Sequence, residues 1–83
     1  MFIILRKNFN GRIYDRYFKS RLVAEKELDN AVEQTCKILN GEVVKEHNYF
    51  KREKGFYIYE KEAIFPDGET CVWALIDGFF EDE

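Results

Sequence analysis

The chain has 83 residues, a net charge of −3, 46% hydrophobic and 35% charged side chains, and eight Phe, five Tyr and one Trp. This length predicts a single domain over residues 1–83 that buries only about 60 to 65% of the surface its unfolded chain exposes, and the hydrophobic content excludes an intrinsically disordered chain. No run approaches the roughly 20 apolar residues of a membrane span, and the opening MFIIL is too short for a secretory signal core, so a cytoplasmic protein without membrane contact is expected.

Residues 2–7 (FIILRK) and 12–18 (RIYDRYF) read as strands around Asn8-Phe9-Asn10-Gly11. Asn-Gly favours a two-residue hairpin loop because both residues tolerate positive φ. With that loop Phe9 faces Arg12, Arg6 faces Asp15, Ile4 faces Tyr17, Leu5 faces Arg16 and Ile3 faces Phe18. The opposite charges of Arg6 and Asp15 favour this alignment.

Ser20 suits a helix N-cap, and Leu22, Val23, Leu28, Ala31, Val32, Thr35, Cys36, Ile38 and Leu39 recur at helical spacing up to Asn40-Gly41. The glycine is expected to end the helix in the left-handed conformation. A third strand, EVVKEHNYF over 42–50, leads into a charged turn at 51–55.

The stretch from Gly55 to Phe80 predicts a long hairpin about Pro66-Asp67-Gly68, a three-residue loop that sets Phe65 opposite Glu69. One face then carries Phe56, Ile58, Glu60, Glu62 and Ile64 with Thr70, Val72, Ala74, Ile76 and Gly78. The other carries Tyr57, Tyr59, Lys61, Ala63 and Phe65 with Glu69, Cys71, Trp73, Leu75 and Asp77. Residues 62–83 hold seven acidic side chains and no basic one.

The order ββαβββ defines an α+β fold, a five-stranded antiparallel sheet with one helix packed on one face. Strand orders 2-1-3-4-5 and 2-1-5-4-3 both keep every pair antiparallel, and the first is preferred. A helix about 10–12 Å across covers about half of one face of a sheet roughly 24 Å wide. The aliphatic face with Val72, Ala74 and Ile76 is expected to take the helix, because Ala74 and Gly78 leave room for close approach, although Glu60 and Glu62 sit awkwardly there. That assignment leaves Tyr57, Tyr59, Lys61, Phe65, Trp73, Leu75 and Asp77 uncovered. Lys61 stands opposite Trp73, within reach for its ammonium to lie over the indole.

No P-loop, GxGxxG or GxSxG motif occurs, and no enzymatic activity is expected. His47 has no motif around it that would make it a general base, and Glu60 and Glu62 read as a solvated strand face. Cys36 and Cys71 lack metal-ligand spacing and read as free, buried thiols, so neither metal nor cofactor is expected. The expected function is binding to another protein, as an inhibitor or adaptor of the kind phages and mobile elements encode. Its expected surface is the aromatic face together with the acidic Glu81, Asp82 and Glu83, steered into a basic groove of the partner.

One alternative is single-stranded nucleic-acid binding, with Tyr57, Tyr59 and Trp73 stacking bases and Arg12, Arg16, Lys51, Arg52 and Lys54 on phosphates. The acidic last 22 residues weigh against it. A homodimer formed through the aromatic face is the other alternative.

Overall fold

A computed structural model describes residues 2–51 and 56–78, and the side chains of 3–46 and 59–76. The elements are β1 (Phe2–Phe9), β2 (Arg12–Phe18), α1 (Arg21–Leu39), β3 (Glu42–Lys51), β4 (Phe56–Ile64) and β5 (Thr70–Gly78). They form an α+β fold whose five strands lie in one antiparallel sheet, ordered β2-β1-β5-β4-β3.

Both hairpins take the registers their turns dictate. Asn10 (φ 58°) and Gly11 (φ 87°) make the first loop, Arg6 pairs with Asp15 and Ile3 with Phe18. In the second, Phe65 N–H donates to Glu69 O at 2.9 Å and Gly68 N–H to Phe65 O at 2.9 Å. Gly68 holds φ +90°, which an L side chain adopts only with strain, and Ile64 pairs with Thr70. The two turns are tied together, since Asn10 Nδ2 donates to Glu69 Oε2 at 3.0 Å.

The helix opens at Ser20, whose Oγ accepts the Val23 N–H at 3.3 Å. It closes on Asn40, not Gly41, as the left-handed residue (φ 57°, ψ 43°). Gly41 serves a different purpose: a Cβ there would overlap the Phe65 ring, which would have to shift to admit a side chain. Among the described residues no helix is long and apolar enough to cross a membrane.

Two expectations are corrected. β5, not β3, pairs with β1, so β5 is the central strand. From Thr70 to Ile76 β5 has no charged side chain, whereas β3 carries Glu42, Lys45 and Glu46 and has a bulge between Val43 and Lys45. The most apolar strand therefore takes the position with neighbours on both sides, and a charged, bulged one takes an edge.

The helix also lies on the other face of the sheet. Ala24, Leu28 and Val32 pack with Ile3, Leu5, Ala63, Phe65, Cys71, Trp73 and Leu75 in one buried cluster, and no charged or polar side chain is buried in it among the described residues. The opposite face holds Arg6, Asp15, Glu60 and Glu62 in adjoining pairs, and a helix set on it would strip water from all four.

Candidate protein-binding surface

The residues expected to form a partner surface are placed as follows. Trp73 and Leu75 are 0% exposed and Phe65 5%, all in the cluster beneath α1. They are core, and the aromatic platform and any dimer through it are closed by the helix. Tyr59 packs at the edge of this cluster, and its hydroxyl donates to Glu46 Oε2 at 3.3 Å. Burial pushes the Tyr59 hydroxyl up from its ordinary range, against the nearby Lys61 ammonium.

Lys61 stands opposite Trp73 in the strand register, but its ammonium does not lie over the indole. It reaches Asp29 Oδ1 on the helix at 3.1 Å and Glu46 Oε2 on β3 at 3.3 Å, 5.7 Å from the centroid of the Tyr59 ring. Burial alone would lower its pKa, yet the hydrogen bonds to Asp29 and Tyr59 outweigh this and raise it. Lys61 thus clasps helix to sheet and stays charged.

Tyr57 and Asp77 are register partners at the end of β4 and β5, and their side chains lie outside the described residues, as do Glu81, Asp82 and Glu83. Both cysteines are free, Cys71 buried and Cys36 partly so. Burial pushes the Cys71 thiol up to about 11.

Two surfaces remain that sequence reasoning did not single out. One is β2, an edge strand on which every residue from Arg12 to Tyr17 is exposed and which pairs with nothing but β1 among the described residues. Because Phe9 and Arg12 close a two-residue loop, Arg12, Tyr14, Arg16 and Phe18 direct their backbone groups to β1, and those of Ile13, Asp15 and Tyr17 point outward. Unlike β3, this edge has no bulge, and it contains no proline.

On the helix side, β2 borders a groove of about 420 Å³ lined by Leu5, Lys7, Tyr14, Asp15, Arg16, Ala31 and Trp73, and the Asp15 carboxylate is already bound by Arg6. Lys7 Nζ sits 5.3 Å from the centroid of the Tyr14 ring, and the Arg16 guanidinium 5.0 Å from that of Phe18. The guanidinium also meets Glu27 Oε1 at 3.3 Å, an exposed contact that solvent weakens. The shelf beside β2 is therefore cationic and aromatic. The Trp73 Nε1–H is buried near it without a hydrogen-bond partner among the described residues.

The second surface is the sheet face away from the helix. Ile4, Val72, Ala74 and Ile76 are partly exposed there, flanked by Ile13 (55% exposed), Tyr17 (62%) and Ile64 (39%). Arg6 Nε and Nη2 donate to the two carboxylate oxygens of Asp15 at 2.8 and 2.9 Å across it. The signal for this face was the sharing of one side by Glu60 and Glu62. Among the described residues no cluster of His, Cys, Asp and Glu is placed to hold a metal ion.

No protein-family model matches the chain, and no curated protein or solved structure is significantly similar to it.

Proposed function

We propose that the protein acts by binding another protein, not by catalysis, and that an extended segment of the partner adds to the sheet along β2. The observation that carries this reading is the exposed, unbulged edge of β2 beside a cationic, aromatic shelf. Strand addition draws its affinity from backbone hydrogen bonds and its specificity from alternate side chains, and β2 offers both. The shelf formed by Lys7, Arg12 and Arg16 with Tyr14 and Phe18 fits a segment with carboxylates at alternate positions. A partner held this way by a small protein is blocked or bridged, which is the work of an inhibitor or an adaptor.

The experiment is selection of a displayed library of random peptides against the whole protein, followed by affinity measurement of the selected peptides on variants. Acidic residues at alternate positions are expected in the selected peptides. Ile13→Pro removes an outward backbone donor without touching the bonds to β1, and Arg16→Glu reverses the shelf. Each should weaken peptide binding at least about tenfold while circular dichroism stays unchanged. Peptides without that pattern, or equal binding by Ile13→Pro, would refute the reading. Tighter, salt-sensitive binding of single-stranded oligonucleotides to the same shelf would replace it.

A further inference from the structure

Among the described residues no element covers the sheet face away from the helix, and one row across that face is symmetric about its middle strand. Reading across β2-β1-β5-β4-β3, one row runs Tyr17, Ile4, Ile76, Ile58, Tyr49, the same residue types in either direction. The side chains of the last two lie outside the described residues, and the register fixes their place in the row. The next row has Arg6 and Glu60 on either side of Ala74, and the one beyond has Asn8 and Glu62 on either side of Val72, complementary pairs whose outer neighbours, Asp15 and the His47 position in one row and Ile13 and Lys45 in the other, are unlike.

From this symmetry we propose that the face binds a second copy of the chain, sheet on sheet, about a two-fold axis running along β5. Such an axis exchanges the β1 and β4 sides of the two copies. Ile76 then meets its own counterpart, Ile4 lies over the Ile58 position, Arg6 over Glu60 and Asn8 over Glu62, each contact made twice as an isologous interface requires. Glu62 Oε1 lies 3.9 Å from Lys45 Nζ, a long contact that leaves the carboxylate able to accept from a further donor, and the donors on the other side have hydrogens to spare. Arg6 binds Asp15 through Nε and Nη2, which leaves Nη1, and Asn8 uses Oδ1 to accept from Gly11 N–H, which leaves its amide donors.

Stacked sheets cross at about 30°, which displaces positions one strand from the axis by about 2.5 Å, within the reach of Arg and Glu side chains. The face measures about 24 Å in each direction, so stacking removes on the order of 1,200 Å² of surface from the two copies, the lower end of stable interfaces. A partner of unrelated sequence would have to match Arg6 and Glu60 separately, whereas a second copy matches both. The inference is independent of strand addition at β2, since one uses the rim of the sheet and the other its face, and either test can fail alone.

The test is the mass in solution of the whole chain by light scattering and sedimentation, over a dilution series up to about 100 μM, in the range where interfaces of this size associate. The wild type should show twice 10.0 kDa at the upper end and dissociate on dilution. Ile76→Lys sets two ammonium groups face to face on the axis, and Glu60→Arg sets Arg against Arg. Each should shift the dissociation midpoint at least about tenfold upward.

A chain carrying Arg6→Glu with Asp15→Asn should likewise be weakened alone, but mixed with the Glu60→Arg chain it should form a heterodimer, because every reversed pair is then matched. A wild type that stays at 10.0 kDa throughout overturns the proposal. So does a dimer that Glu60→Arg leaves intact. Should circular dichroism show Ile76→Lys unfolded, Glu60→Arg and the mixing experiment decide.

Discussion

Leu75 and Ile76 are neighbours on β5 that face opposite sides of the sheet, Leu75 fully buried beneath the helix and Ile76 partly exposed on the uncovered face. Truncating each to alanine compares the two faces within one strand. Leu75→Ala opens a cavity among Leu28, Trp73 and their neighbours, which costs about 2–5 kcal/mol. A chain of 83 residues has only about 4–12 kcal/mol of total stability, at about 0.05–0.15 kcal/mol per residue. The variant therefore loses a large share of it, and its melting temperature should fall by about 4–8 °C for each kcal/mol.

Ile76→Ala removes a similar apolar volume from a site already in part contact with water, so about 1 kcal/mol is expected. Urea unfolding followed by far-ultraviolet circular dichroism measures both. Protein concentrations low enough to suppress association through the uncovered face keep the comparison to the single chain. If Ile76→Ala costs as much as Leu75→Ala, the helix does not pack where the burial pattern sets it.

Gly41→Ala drives a methyl group into the Phe65 ring and should cost about 1–3 kcal/mol by urea unfolding, with partial recovery when Phe65→Leu is added; a neutral effect would contradict the packing. The hydrogen bond from Arg6 holds the Asp15 carboxyl below its ordinary range. That contribution is fully present above the unfolded pKa of about 3.9 and is lost as pH falls through the folded value. The pair is solvent-screened and worth about 0.2–1 kcal/mol, so acid titrations of wild type and Asp15→Asn should converge by that amount below about pH 4. Burial raises both thiols, Cys71 to about 11, so alkylation at pH 8 should modify partly exposed Cys36 well before Cys71, and mass spectrometry of the labelled peptides reads the order.

Local features of the fold were legible in the sequence because local chemistry sets them. Asn10-Gly11 and Pro66-Asp67-Gly68 each define a loop length, and a loop length defines a register, so Arg6 opposite Asp15 and Ile64 opposite Thr70 follow from counting. Ser20 likewise marks the start of the helix. The strand order and the covered face were not legible, because no turn determines them. They depend on the pairing of β1 with β5, where Leu5 meets Leu75 across about seventy residues of chain. Only that pairing puts Arg6 and Asp15 on the side of Glu60 and Glu62, and Ile3 and Leu5 on the side of Trp73. Phe65, Trp73 and Leu75 went to the core for the same reason: Trp and Phe that suit an interface also suit a core, and parity between the hairpins chooses which.

The single tryptophan of the chain sits at the junction that defines the fold, with its indole closed to water between sheet and helix. Its emission is therefore a built-in optical gauge of helix docking. In the folded protein it should be blue-shifted and resist quenching by acrylamide, and it should redden only when the helix leaves the sheet. A partner that prised the helix away would announce itself without any added label.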